Sequence, residues 1–328
     1  MNTIDRLKNN TSGGPDNLSV MLVKSIATTI SPCLLTIMNG ILHLGHHPQP
    51  WKHSTTTILR KNGKPDYRVP KAYRPIALLC IFTRILEGLM AKRLSHLSET
   101  RGLFEDNQNG FRKNRQTADG LVELKKSIVK NWSQKRVTSG CSLDMRGAYD
   151  SIDHDLLVEK LEIMGLPSYI TKWLTNFLHN RTTYLTNEAV KSKLLFLLRG
   201  LPQGSPISPV LFNLFSSDLV RDLSALVPTT SFADDLFIYT SNVSIDSNLT
   251  KMKHAFEVAT NWGIKNKMSF DFEKTNLIHF CRRQPKKNLA TFVLKLDDAT
   301  ITPKDHILFL GVYFDTRLTW KIHIEHMV

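Results

Sequence analysis

The sequence predicts an α+β fold, and three observations predict it. Residues 229–240 read TTSFADDLFIYT, in which β-branched and aromatic residues flank an acidic pair like the two arms of a hairpin. Residues 138–144 form a second strand-like run that closes on Asp144. Around these, apolar residues recur at three- and four-residue steps, the spacing of amphipathic helices.

Taken in order, residues 18–44 and 76–97 carry that helical spacing, the second as IALLCIFTRILEGLMAKRL. The stretches 11–16 (TSGGPD), 61–70 and 282–288 read as loops. After the strand ending at Asp144, Asp153 or Asp155 caps a helix through Leu156, Leu157, Leu161 and Met164, which Gly165 and Pro167 stop. Ser205 and Pro206 open the next helix, PVLFNLFSSDLVRDL, with proline in the first turn. The hairpin follows with Asp234 and Asp235 at its tip. Residues 248–267 are then helical, 269–280 strand-like around Lys274, and 304–314 a final strand region ending in the Gly311 segment.

At 328 residues and 41% hydrophobic content the chain can bury a sizeable core, as one large domain or two to three subdomains. Lys plus Arg number 43 against 29 Asp plus Glu, a net charge of +14 that favours a polyanionic partner. The basic residues cluster: residues 51–75 hold Lys52, Arg60, Lys61, Lys64, Arg68, Lys71 and Arg74 against Asp66 alone, and residues 112–136 are similarly enriched. Four separated cysteines without C-x-x-C spacing indicate neither a zinc knuckle nor a disulfide framework. No signal pattern is evident, and no apolar run approaches the roughly 18 residues of a membrane span, so the expectation is a soluble, intracellular protein.

Acidic side chains are depleted from strands and costly to bury, so two at a hairpin turn and a third at a strand end suggest a metal site. That chemistry is phosphoryl transfer assisted by divalent cations. A turn carrying solvated aspartates explains Asp234 and Asp235 equally well if they are taken alone.

In order along the chain stand RKNGKPD and YRPIALL, QNGFRKNRQTADGL, LDMRGAYDSIDHDLL, RGLPQGSPISPVLFNLF, FADDLFIY, NKMSFDFEKTNLIHF and FLGVYFDTRLTW. This succession, spanning most of residues 42–315, resembles the fingers and palm motifs of a reverse transcriptase of the non-LTR (LINE-type, jockey-like) retrotransposons. The resemblance implies a right-hand polymerase fold: a helical extension over 1–41, fingers at about 42–140 and 160–205, palm at about 141–159 and 206–315, and only the start of a thumb or connection at 316–328. It implies RNA-directed DNA polymerisation on an RNA template, from a DNA primer or nicked target DNA, with deoxynucleotides and two Mg²⁺ ions for which Mn²⁺ can substitute. It implies no membrane association, and nuclear action during integration.

By the same resemblance Asp144, Asp234 and Asp235 are the metal-binding carboxylates, with the Met145 carbonyl as an accessory oxygen. Asp150, Asp153 and Asp155 read instead as capping or solvated residues. Tyr149 matches the aromatic that excludes a 2′-hydroxyl, against the alternative of an ordinary buried tyrosine. Lys61 and Arg74 match residues that grip the triphosphate, and Arg112 supports the template or the same pocket. Lys64, Arg68, Lys71, Lys113 and Arg115 are placed near nucleic acid and no further. Gln203 and Gly204 match the segment against the template base pair and nucleotide, where glycine permits close approach. Lys274 matches the lysine that protonates departing pyrophosphate, and Leu310 and Gly311 the segment holding the primer end.

Two departures stand out: Arg60 where the family often has proline, and Gln116-Thr117 where it usually has Ser-Thr. The resemblance also implies an amino-terminal endonuclease and a thumb that this sequence lacks, as in a fragment or a truncated element copy. The competing expectation is therefore an inactive remnant that only binds RNA. An RNA-dependent RNA polymerase shares paired palm aspartates, but Tyr149 and LPQGSP count against it.

Overall fold

The computed structural model describes residues 2–9, 11–63, 65–187, 190–283, 288–297 and 299–327. Lys64 lies outside the described residues, as does part of the 282–288 loop. Helices and sheets are both extensive, so the fold is α+β. The chain forms two compact units, Met1–Arg101 with Tyr149–Phe215, and Gly102–Ala148 with Ser216–Val328.

The first unit is built on β1 (His53–Arg60) and β2 (Tyr73–Leu79), which pair antiparallel. In the second unit β3 (Val137–Asp144) is a central strand. Back in the first, β4 (Arg181–Asn187) lies parallel to β1 and carries β5 (Val190–Lys191) and β6 (Leu195–Leu197) antiparallel on its far side. Threonines fill β1 and β4, and their hydroxyls meet across the pair, Thr56 Oγ1 to Thr183 Oγ1 at 2.8 Å. Pro75 is tolerated because β2 is the sheet edge.

Residues 76–79 thus extend β2, and the helix expected from residue 76 runs Ile81–Thr100. The junction is fixed from the amino-terminal loop: the Asp16 carboxylate accepts from the Ile81 amide at 2.9 Å, and Gly14 lies so close to Leu79 that a β-carbon would meet its carbonyl oxygen at 2.4 Å. Only a residue without a side chain fits there.

The helix expected over residues 18–44 breaks at Ile26 into Val20–Ser25, capped by Ser19, and Ala27–Leu44. The second piece packs on the helix Ser168–Leu178 within the same unit. It is 18 residues long with a hydropathy of 1.3, so by length and composition it is apolar enough to cross a membrane. The expectation that no apolar run approaches that length is corrected: Thr28, Thr29, Ser31, Thr36 and Asn39 interrupt the run without lowering its average enough.

The second unit holds β7 (Thr229–Phe232), β8 (Asp235–Asn242) and β9 (Leu277–Phe280) in an antiparallel sheet ordered β7-β8-β3-β9. Two small ribbons follow, β10 (Leu294–Lys295) with β11 (Thr300–Ile301), and β12 (His306–Phe309) with β13 (Val312–Asp315). Leu124 and Ile128 of the helix Thr117–Ser133 pack with Phe237, Tyr239, Ile278, Phe280, Ile307, Phe309 and Phe314 into this unit's core. Residues 102–133 cluster here for that reason: Gly120 on the helix abuts Thr230 of β7, where a β-carbon would meet the threonine hydroxyl at 2.5 Å. The helix Ile245–Lys265, capped by Ser244, matches the expected 248–267.

Candidate active site

The hairpin β7–β8 forms as its sequence predicts, with Phe232 paired to Asp235 and only Ala233 and Asp234 between them. Ala233 takes a left-handed φ of +55°, which lets two residues reverse the chain. A second segment braces this turn. Asn109 donates its amide to the Ser231 carbonyl at 2.8 Å, Ser231 returns its own to Asn107 at 2.9 Å, and Gly110 presses against Ala233, where a β-carbon would stand 2.3 Å from the amide nitrogen. The QNG of QNGFR therefore fixes the acidic turn from behind. Sequence reasoning missed this, although a glycine after two amide side chains is a signal of close backbone approach.

Asp144, the last residue of β3, is the direct antiparallel partner of Asp235 at the start of β8. Asp235 is solvent-accessible, yet its carboxyl is pushed up to about 6, first by desolvation and then by the charges of Asp234 and Asp144. The two neighbouring carboxylates act in the same direction as the burial, because further negative charge at short range disfavours ionisation. The three acids are thus one electrostatic group.

Asp144 is also tied to a turn that the sequence reading took for strand. Residues 271–275 reverse direction, the Lys274 amide donating to Asp271 O at 3.1 Å, and β9 begins only at Leu277. Asp271, 2% exposed, requires that turn: its amide donates to the Asp144 carbonyl at 2.8 Å, and its carboxylate faces Lys274 Nζ at 3.3 Å and Arg146 at 3.5 Å. Lys274 Nζ lies 2.7 Å from Asp144 Oδ2, and this bond foremost holds the ammonium's pKa above its ordinary value. Asp271 and Arg146 are contributors that no motif suggested. Met145 is buried in the bridge it forms with Phe270.

Hard carboxylate oxygens with mutual repulsion suit a divalent cation in kind. Their spacing is not preset: among the described residues no three His, Cys, Asp or Glu side chains are grouped closely enough to hold a metal ion. Lys274 supplies the countercharge instead.

The remaining predicted residues divide by unit. Leu310 and Gly311, with φ of +48° and +80°, are the two-residue turn of the β12–β13 hairpin, so the single strand expected over 304–314 is two. Leu310 packs on the core of its unit. Arg112 donates to the carbonyls of Glu105 (2.5 Å) and Gln108 (2.9 Å) and covers the Phe104 ring. Through these bonds it braces the segment before the acidic turn.

In the first unit Tyr149 is half-buried and stacks on Phe212, ring centroids 5.0 Å apart. Gln203 donates to the Asp150 carboxylate at 3.0 and 3.2 Å, and its carbonyl accepts from the Ala77 amide at 2.8 Å. Gly204, at φ +112°, lies where a β-carbon would be 2.8 Å from Ala77 O, so the close approach that demands glycine is to β2 itself. The following helix starts at Ser208, not at Ser205: Ser205 Oγ instead bonds the buried Glu87 carboxylate, and the Ser-Pro signature recurs three residues later as Ser208-Pro209. Asp153, as expected, caps its helix by accepting from Leu156 at 3.1 Å. Lys61 Nζ donates to Lys71 O at 3.0 Å, and Arg74 is exposed on β2 opposite Leu59. All four cysteines are free.

The family profile of reverse transcriptase (RNA-dependent DNA polymerase) matches residues 59–314. The chain is 27% identical, over 96% of its length, to the probable RNA-directed DNA polymerase from transposon BS of Drosophila melanogaster, of which it covers 35%. It is 26% identical to the RNA-directed DNA polymerase from mobile element jockey of the same organism, over 99% of this chain and 36% of that protein. The chain therefore spans about a third of the length of these curated relatives. Among solved structures, apo telomerase of Candida Tropicalis truncated from the C-terminal domain superposes with a TM-score of 0.56 at 14% identity, over 84% of this chain and 55% of that one, a likeness of fold. With the family profile covering most of the sequence, the chain belongs to the reverse transcriptases, of the kind encoded by non-LTR retrotransposons.

Proposed function

We propose that the chain is the polymerising part of an RNA-directed DNA polymerase, with fingers over about 42–140 and 160–205 and palm over about 141–159 and 206–315, the second unit carrying the catalytic palm sheet. The observation that carries this reading is the pairing of Asp144 with Asp235 across β3 and β8, beside Asp234 in the turn. Asp144, Asp234 and Asp235 would hold two Mg²⁺ ions, with the Met145 carbonyl as a further oxygen. When bound, such ions lower the pKa of a primer 3′-hydroxyl and neutralise charge on the triphosphate.

The protein's own groups do the rest. The Asn107–Gly110 brace keeps the two turn aspartates in place, so little reorganisation is needed when substrate arrives. Lys274, held beside Asp144, is within reach to give a proton to departing pyrophosphate once it leaves that carboxylate. Stacked on Phe212, Tyr149 offers a rigid wall against a ribose 2′-hydroxyl. Arg74, exposed on the edge strand, and Lys61 are cations suited to triphosphate oxygens. RNA template and DNA primer are the polyanions that the net charge of +14 favours.

Primer extension on an RNA template with Mg²⁺ and deoxynucleotides tests the reading. Extension by the parent and none by Asp234→Asn or Asp235→Asn is the expected result. RNA binding without extension by any form would overturn it in favour of an inactive remnant.

A further inference from the structure

Two places after Asp144 the chain carries a cation, Arg146, and the backbone fixes where it stands. Asp144 and Arg146 flank Met145 at the end of β3, and alternation turns both away from the side of the buried Met145. The segment 269–271 locks this arrangement. The Asp271 amide donates to the Asp144 carbonyl at 2.8 Å, and the Arg146 amide donates to the Ser269 carbonyl at 2.8 Å. Main-chain bonds alone therefore hold Arg146 on the side of the strand end that Asp144 occupies.

The guanidinium is anchored as well. The Asp271 carboxylate, 3% exposed, meets Arg146 Nη2 at 3.5 Å through one oxygen and Lys274 Nζ at 3.3 Å through the other. A carboxylate so buried is costly unless cations match it, and here two share it. Arg146 and Lys274 are themselves 54% and 56% exposed, so both present their charge outward. Lys274 also contacts Asp144 at 2.7 Å. Under the polymerase reading the Asp144 oxygens are required for metal, and Lys274 and Arg146 then share Asp271 between them. Two cations spaced by one carboxylate match an anion with a charged group at each end, which is inorganic pyrophosphate; a lone phosphate engages one of them.

We infer that Arg146 binds the pyrophosphate product beside Lys274, and that Asp271 is the positioning residue that spaces the two cations. The identity of the anion rests on the polymerase reading; the cation pair does not. A guanidinium can take two phosphate oxygens at once, whereas an ammonium is a point charge. Arg146 thus orients the leaving group, and Lys274 remains the residue within reach to protonate it.

The test is calorimetric titration of the whole chain with magnesium pyrophosphate, without primer or template, and with inorganic phosphate as the comparison anion. Pyrophosphate should bind the parent roughly tenfold or more tighter than phosphate, Arg146→Gln should weaken it roughly tenfold or more, and Arg146→Lys should restore part of the loss. Mn²⁺ should bind Arg146→Gln no more weakly than the parent, which assigns the loss to the anion contact and not to the metal. Asp271→Asn separates positioning from bulk charge: removing a negative charge by itself tightens an anion, whereas losing the spacer weakens it, and weakening is expected. Because Asp271 is buried, thermal melting accompanies that variant, while the exposed Arg146 carries the test without it. No pyrophosphate binding by the parent, affinity untouched by Arg146→Gln, Mn²⁺ binding lost with Arg146, or tightening by Asp271→Asn would each overturn the assignment. Pyrophosphate held through Arg146 by a parent that extends no primer would support the cation pair and defeat the polymerase reading; extension with binding indifferent to Arg146→Gln would do the reverse.

Discussion

Asp144 and Asp235 face each other as partners across two neighbouring antiparallel strands, so the fold forces two carboxylates together that would repel in the absence of a cation. Cross-strand like charges destabilise, and removing one relieves the sheet. Asp235→Asn should therefore raise the melting temperature of the metal-free protein by roughly 2 °C or more, and Mg²⁺ should stabilise the parent but not the variant. Thermal unfolding with and without Mg²⁺ checks both.

Lys274 holds the place of a cation against Asp144 at 2.7 Å. Both groups are partly exposed, so the bond is worth at most about 1 kcal/mol, or about fivefold in an equilibrium. Lys274→Met should accordingly tighten Mn²⁺ binding to the free protein by up to about fivefold while slowing primer extension. A calorimetric titration beside an extension assay separates the two effects.

Glu87 gives the first unit a pH dependence. Its carboxyl is raised to about 7, chiefly by burial, with Arg181, Ser205 and Arg84 opposing. A raised carboxyl binds its proton more tightly in the fold than in the unfolded chain. The associated stability is present below the unfolded value near 4.5 and is lost as pH rises towards 7. Glu87→Gln should flatten the loss, on the order of 1 to 3 kcal/mol, between those limits. Urea unfolding at pH 5 and pH 7.5 measures it.

Gly204→Ala places a β-carbon 2.8 Å from the Ala77 carbonyl oxygen on a backbone at φ +112°, so strand or loop must shift to admit it. A loss of roughly 1–3 kcal/mol is expected in urea unfolding. Extension should fall as well, because Gln203 is anchored to the same Ala77 through its carbonyl.

What the sequence made legible follows the reach of local chemistry. The acidic hairpin, the strand ending at Asp144, the Asp153 cap and the long helix capped by Ser244 are written in neighbouring residues and formed as expected. Segments decided by distant partners were misread. Residues 76–79 pair with β1 and so are strand, although their apolar spacing is helical. Ser205 turns to Glu87, 118 positions away, which delays the helix start. Lys274 lies in a turn because Asp271 needs a buried position beside Arg146. At the site, Asp144, Asp234 and Asp235 were marked by pattern together with the family resemblance, whereas the partners of the Asn107–Gly110 brace and of Arg112 are set by tertiary approach, of which the sequence carries at most the glycine at 110 as a hint.

The most direct measurement is a Mn²⁺ titration of the free protein followed by the electron paramagnetic resonance of unbound metal, comparing the parent with Asp144→Asn. The account predicts saturable binding by the parent and its loss in the variant, since the proposed cation site joins the end of β3 to the β7–β8 turn. Equal binding by both proteins would contradict it.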